Sequence, residues 1–459
     1  LVLVERDESV RRIFIFTLIA ILPVATGRAE MPTLEALRHG VDRAVEGVRA
    51  LQAESGGWGR IYTRDGAAMW GEWKLVPRDW ITVQPPCTPT TAMTLLRAGQ
   101  VLDKAGALEG ADRARKALLT IQTPEGGFPH EAPPSEGARA TATFDDDVTT
   151  SALRFLMAWW QHTGDASDRA EVDRVGAFLM ASQYETCGLW PQRYPPGDSG
   201  YGRDITFNDN VAYNNVHALM QLEKVTGEAR YGAAIDRAGA CILKLQGGEG
   251  EAVWAQQYDP ESLAPSWARK FEPPGYSAGE SAGMCRLLVD LYRRDGDERY
   301  LEALRRALHW YDTHKLENGR WARLYEPGTQ RPVYGRRDKA EKVYDLEKAT
   351  DGYAWQGNWY PQDAAAALAR FDAEGGEALR ARSDTAAGKR TVDGAAVARV
   401  LAALDKEGYW TRRPSSGEKD LLKEAGVNPD QDLIDMGMFN RNLNLLLDAL
   451  EAGQGGDQE

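Results

Sequence analysis

Pairs of amphipathic segments recur along this chain at a period of roughly sixty to seventy residues. A glycine-bearing loop with an aromatic residue closes each pair. Leu37, Val41, Val45, Val48 and Leu51 repeat at steps of three and four, as one face of a helix does, and lead into Gly56-Gly57-Trp58. The same periodicity predicts helix pairs over 89–104 and 107–122, 148–162 and 168–183, 212–225 and 229–245, and 279–294 and 298–314. Phe128, Trp190, Trp254 and Trp321 follow these pairs. Three of the turns within pairs are alike: HTGD at 162–165, VTGEARY at 225–231 and RDGDERY at 294–300. Glycine there supplies a left-handed cap, and the acid after it starts the next helix. Hairpins repeated in this way can close into a ring with every aromatic loop on one rim. An open solenoid is the alternative. The expected fold is mainly α: an α/α toroid of repeated helical hairpins with a smaller irregular, β-containing loop region. A last amphipathic helix is expected near 433–450, residues 371–395 read as surface, and 451–459 read as a disordered tail.

The first 29 residues read as a signal peptide. Arg11 and Arg12 precede an apolar run, Ile13 to Val24, too short for a comfortable membrane span, and Gly27 and Ala29 stand at −3 and −1 of a cleavage point. The arginine pair also fits a twin-arginine signal, but the general secretory route is favoured. The expected location is secreted or periplasmic, with no stable membrane span. A net charge of −13 argues against nucleic acid or an anionic membrane as a general partner. Cys87, Cys187, Cys241 and Cys285 have no metal-type spacing. Export allows one or two disulfides, but Cys241 and Cys285 fall in apolar helical runs and read as buried thiols.

Three stretches could carry chemistry. The long loop Trp254 to Glu280 holds five aromatic residues, four prolines, and Arg269 and Lys270 set among them. A cation on a stiff aromatic loop suggests recognition of an anion, whereas the plain alternative is a surface loop with a satisfied arginine. The run TFDDDVTT puts Asp145, Asp146 and Asp147 just ahead of a helix. Capping accounts for one or two of these acids, and a hard divalent cation accounts for all three. ITFNDNVAYNN places Asn208, Asp209 and Asn210 likewise. On a toroid both clusters share a rim and supply the oxygens that Ca²⁺ prefers. GYSAG at 275–279 matches a nucleophile elbow, but Pro273-Pro274 stand where a strand is needed. The six histidines lie in no zinc or catalytic motif.

TFDDDVTTSALRFL, LWPQRYP with DITFNDN, APSWARKFEPP with SAGES, and WARLYEPGTQRP with RRD and GNW resemble the toroid pectate lyases, polysaccharide lyase family ten. The resemblance spans about residues 50 to 450, and implies a catalytic domain over 30–450 that cleaves polygalacturonate, or a related uronan, by Ca²⁺-dependent β-elimination. It implies Arg269 as the base, with Arg323 and Arg337 binding the uronate alongside Lys270 and Trp267. Asp145 and Asp146 match an acid–amide pair near the calcium, Asp145 also touching substrate, and Asp209 matches a calcium-binding acid. Asp146 stands where the family pattern carries Asn. A monomer acting on an acidic polysaccharide is expected.

An arginine base is chemically demanding. Reaching its neutral form near pH 9 costs roughly 5 kcal/mol, which neighbouring positive charges reduce. An alkaline optimum follows. The rival readings are a uronan-active hydrolase using the same carboxylates, a non-catalytic polysaccharide-binding toroid, and a terpene cyclase suggested by Gln183 to Trp190 and the acidic run. The arginine-rich loops argue against the apolar cavity that a cyclase needs.

Overall fold

The computed structural model describes residues 31–72, 74–134, 141–198, 200–381 and 392–456. The expected leader lies outside these residues. The helices are α1 (Leu34–Leu51), α2 (Thr88–Leu102), α3 (Ala105–Ile121), α4 (Val148–Thr163), α5 (Ala166–Ala181), α6 (Val211–Thr226) and α7 (Ala229–Leu245). They continue with α8 (Ala278–Asp295), α9 (Glu298–Thr313), α10 (Gln362–Glu374), α11 (Gly376–Ala381), α12 (Gly394–Ala402), α13 (Ser416–Glu424) and α14 (Met436–Gly456). None of the described helices is long and apolar enough to cross a membrane.

Each expected pair is an antiparallel hairpin: α2 with α3, α4 with α5, α6 with α7, α8 with α9. The first helix of each pair forms an inner layer, α2 against α4, α4 against α6, α6 against α8, and α8 against α10. α14 returns to pack on α1 and α2, so the chain's end meets its beginning. The architecture is an α/α toroid. Helices α10 to α12 contribute to the stretch read as surface, and among its described residues only Leu379 is buried. The three helices bury few residues, Ala364, Ala367 and Leu368 on α10, Leu379 on α11 and Val397 on α12, too few to stand out as a helical pattern. α14 runs through Gly456 rather than stopping near 450.

One loop design joins the repeats. Trp58, Trp190, Trp254, Trp321 and Trp410 are buried, and each donates its indole N–H to a carbonyl of the preceding outer helix: Val48, Leu179, Ile242, Tyr311 and Val400, at 2.7–2.9 Å. An unpaired buried N–H costs about 1–3 kcal/mol, so these bonds make the deep burial of tryptophan affordable. Gly56 and Gly126 precede the first two aromatics at φ +96° and +108°. A Cβ there would meet the carbonyl oxygens of Arg113 and Arg174 at 2.5 and 2.9 Å, so glycine is required on both counts.

Short strands stitch the rim. The strand before an inner helix pairs antiparallel with the strand after the outer helix of its pair: Ile81–Thr82 with Glu131–Ala132, Ala142–Thr143 with Arg193–Tyr194, Ile205–Thr206 with Gln257–Tyr258, Tyr276–Ser277 with Leu324–Tyr325. The loops after the outer helices and the starts of the inner helices are thereby held side by side. The cysteines differ from expectation. Cys241 is not a free thiol but is bonded to Cys187, Cα to Cα 5.3 Å, because α7 passes beneath the loop that carries Cys187. Cys87 and Cys285 are free and buried.

Candidate functional site

Two of the stitched loops lead into the same unusual turn. Asp145–Asp147 and Asn208–Asn210 each form a single 3₁₀ turn before α4 and α6. In both, the second and third residues are left-handed: Asp146 and Asp147 at φ 49° and 63°, Asp209 and Asn210 at 50° and 60°. Asp and Asn tolerate this region best after glycine. The backbone is therefore one reason for the Asx runs, and conventional capping is not, since neither helix has a side-chain cap bond.

The turns lie against each other. Oxygens of Asp145, Asp146 and Asp209 come within 4.8 Å of one another. The third acid of the run does not join them: Asp147 is held by Thr150 and Arg154 of α4. The cation that would explain all three acids thus needs to explain two of them plus Asp209. Gln192 donates to Asp145 Oδ2 at 2.8 Å, while Asp145 Oδ1 is buried without a partner. Burial, then Asp145 and Glu72, push the Asp146 carboxyl up to about 6, with His130 and Arg60 opposing. The protein around Asp209, then Asp145 and Asp146, raise its carboxyl as well, although one edge of the residue reaches solvent. At this spacing each charge pair repels by about 3–4 kcal/mol at an effective dielectric near 20. A bound divalent cation would remove that repulsion, and the all-oxygen donor set fits Ca²⁺.

The arginines gather beside the acids on two touching rings, Phe271 and Tyr353, whose centroids are 5.0 Å apart. Arg269 lies 5.0 Å from the Phe271 ring, Arg337 4.2 Å from it, and Arg323 5.0 Å from the Tyr353 ring. Three of the expected cations thus meet although 68 residues separate the first from the last in sequence. Arg323 donates to Glu280 Oε1 at 2.9 Å. Burial disfavours its charge, but Glu280, Tyr353, Glu272 and Asp209 outweigh burial and raise its pKa. Lys270 is exposed, with no ion pair among the described residues, and Trp267 is half-buried and outside the ring contacts that collect the arginines.

Sequence reasoning missed the partner of Arg269. Glu272, 1% exposed, takes Arg269 Nε on Oε2 at 2.6 Å and Nη2 on Oε1 at 2.5 Å. The bidentate bond to Glu272 raises the arginine's pKa, although burial opposes it. Nη1 is left without a hydrogen bond among the described residues. Tyr353 also donates to Glu272, at 2.5 Å, and Gln256 donates to Glu272 at 3.1 Å and to Asn208 at 3.0 Å. Gln256 therefore ties the arginine pair to the acidic turn. A signal for it was present. Trp190-Pro-Gln192-Arg-Tyr194, Trp254-Ala-Gln256-Gln-Tyr258 and Trp321-Ala-Arg323-Leu-Tyr325 are one motif. Its third residue faces the site each time. Ser277 of the apparent elbow is the second residue of a two-residue strand and caps α8, is buried and bonded to Glu280, and has no histidine on it among the described residues.

Residues 122–320 match the family model described as pectic acid lyase. The matched segment includes the three clustered acids, Arg269 and Glu272, while Arg323 and Arg337 lie beyond it. No curated protein matches the chain at a significant level. Among solved structures, a mutant family 10 polysaccharide lyase from Cellvibrio cellulosa in complex with trigalacturonic acid is similar at 22% identity, covering 61% of this chain and 98% of that one, with a TM-score of 0.49. A family 76 α-mannanase from Bacteroides thetaiotaomicron is similar at 9% identity over 93% of this chain and 98% of that one, TM-score 0.48. An unsaturated glucuronyl hydrolase from Bacillus sp. GL1 is similar at 15% identity over 90% and 96%, TM-score 0.45.

Proposed function

We propose that this chain, a pectate lyase-type polysaccharide lyase, cleaves polygalacturonate by Ca²⁺-dependent β-elimination with Arg269 as the base. The observation that carries the proposal is the facing pair of clusters: three close carboxylates beside three arginines, of which Arg337 has no ion pair among the described residues and Arg269 keeps Nη1 free. A uronate carboxylate bound between a cation on the acids and these arginines would meet both.

In this reading Asp145, Asp146 and Asp209 hold Ca²⁺. When bound, the ion supplies positive charge that acidifies the carbon beside the uronate carboxylate. Arg323 and Arg337 bind and orient that carboxylate, and bidentate geometry suits arginine to the task. The free Nη1 of Arg269, in the neutral guanidine form, takes the proton from C5. The C5–H electrons form the C4–C5 double bond, the C4–O bond breaks, and the leaving oxygen takes a proton from solvent. Glu272 works against this in the resting protein, because it favours the charged guanidinium. Positive charge brought in beside Arg269 works in the other direction. The optimum is therefore expected at alkaline pH. The leader-like sequence at residues 1–29 supports action outside the cytoplasm.

A hydrolase would use two carboxyls about 5–9.5 Å apart with a sugar between them. Three carboxylates within 4.8 Å suit a cation better. The test is growth of ultraviolet absorbance on polygalacturonate, with Ca²⁺ and with chelator, for wild type and Arg269→Ala. Absorbance that needs Ca²⁺ and Arg269 supports the proposal. Reducing ends without absorbance would move the assignment to the carboxylates and hydrolysis.

A further inference from the structure

A cavity of about 410 Å³ opens at the start of α8, lined by Gly279, Arg286, Asn358, Trp359 and Gln362 among others. It falls within the ~300–1,000 Å³ that small-ligand sites occupy. Glu280, the partner of Arg323, follows Gly279 directly, so the cavity adjoins the arginine cluster. Arg286, Asn358 and Gln362 are exposed, and Trp359 is half-buried.

Trp359 is mounted as a platform. A Cβ on Gly357 would lie 2.6 Å from the indole, and one on Gly279 3.8 Å, so the ring lies against bare backbone. No other aromatic ring stacks on it among the described residues, which leaves a π-face for an occupant of the cavity. Arg286 has no ion pair and no hydrogen bond among the described residues. Its guanidinium lies 5.9 Å from the Tyr213 ring. It also lines an adjoining cavity of about 290 Å³, so its guanidinium stands between two open spaces. Asp363 lines both as well, in the first turn of α10, where the helix dipole favours a carboxylate.

We propose that this cavity is an additional saccharide subsite that takes an acidic sugar unit of the polymer, its ring on Trp359 and its carboxylate on Arg286. The inference rests on the uronan reading above. An aromatic face accepts the C–H side of a pyranose, the amides of Asn358 and Gln362 suit its hydroxyls, and the unpaired guanidinium suits the carboxylate. The subsite makes cleavage depend on chain length, because it adds a contact for a sugar unit beyond those held at the arginine cluster.

The test is steady-state cleavage of polygalacturonate and of trigalacturonate by wild type, Arg286→Gln, Trp359→Ala and Trp359→Phe. Reducing ends are counted, so that scission is seen whatever its bond chemistry. Arg286→Gln and Trp359→Ala are expected to raise KM on the polymer about tenfold, the scale of one charged hydrogen bond or stacking contact, with kcat and the trimer's KM little changed. Trp359→Phe keeps a ring on the glycine bed and is expected to retain most of the affinity. Partly methyl-esterified polymer, which keeps free carboxylates for the arginine cluster, should be less sensitive to Arg286→Gln but keep its sensitivity to Trp359→Ala. Unchanged KM in Arg286→Gln, whose exposed side chain is not needed for folding, overturns the subsite. Wild type that cleaves no uronan overturns the parent reading instead.

Discussion

Arg269 and Glu272, three residues apart on one turn of loop, form a bidentate pair in which the carboxylate is buried and the guanidinium keeps one free nitrogen. The pair fixes where Nη1 points, and the same carboxylate raises the arginine's pKa. Orientation and basicity are thus set by one residue and pull in opposite directions. In Glu272→Gln the raising influence is gone, so the Arg269 pKa falls. At any pH below that pKa the neutral fraction grows tenfold per unit. The acid limb of the pH–rate profile should move to lower pH, while the maximal rate drops by about 10²-fold as the guanidinium loses its fixed position. A limb that stays in place would show that Arg269 is not the group whose deprotonation is being read.

Arg323 and Glu280 make a second pair, with a half-buried guanidinium and a buried carboxylate, their side chains 17% and 7% exposed respectively. Breaking such a pair from one end leaves an uncompensated charge inside and costs about 3–5 kcal/mol. Arg323→Ala should therefore lose stability as well as activity. Arg323→Ala with Glu280→Gln removes both charges and should recover much of the stability, with activity still lost. Denaturant midpoints of the two single variants, the double variant and wild type separate the roles. Equal loss in Arg323→Ala and in the double variant would assign the damage to packing alone.

Cys187 and Cys241 close a loop across 54 residues of sequence. Chain entropy alone assigns such a cross-link about 4 kcal/mol, less any strain in the native state. Cys241→Ser should lower the unfolding free energy by roughly 2–4 kcal/mol, and peptide mapping of the oxidised protein should recover the two cysteines linked. Neither cysteine bonds to a residue of the acid or arginine clusters, so cleavage by the folded variant should continue at about the wild-type rate. An undiminished melting point after reduction would show that the pair contributes nothing.

The ring was legible because large apolar residues such as Leu37, Val41 and Val45 mark each helix face, and a Gly-turn signal separates the helices. Helices α10 to α12 were not, since α10 buries only three residues and α11 and α12 one each. Asp145, Asp209 and the arginines could be named from local motifs. A shared rim followed from the repeat, but their close approach could not be read, because it depends on strand pairs such as Thr206 with Gln257 that join distant loops. Glu272 stood inside a quoted motif, yet its role needed the loop's turn, which brings its carboxylate onto Arg269. Asp147 looked like its neighbours until the left-handed backbone turned it toward Arg154.

Asp146 offers the clearest separation of metal from fold. Its carboxyl titrates near 6 in the folded protein against about 3.9 in an unfolded chain. A raised carboxyl pKa means that the native state holds its proton more tightly between roughly pH 4 and 6, so stability falls as pH rises through that window. The penalty is absent below about pH 4 and complete above about pH 6. Without Ca²⁺, Asp146→Asn should therefore raise the melting temperature at pH 8, by on the order of 1–2 kcal/mol in stability, and have little effect near pH 4. With Ca²⁺ the order should reverse, because wild type gains RT ln(1 + [Ca²⁺]/Kd), about 2.7 kcal/mol at a hundredfold excess over Kd, and the variant gains less. Thermal melts at the two pH values, with Ca²⁺ and with chelator, give both comparisons. A variant that is less stable than wild type in chelator at pH 8 would show that the Asp146 charge is compensated within the protein and that no cation is needed there.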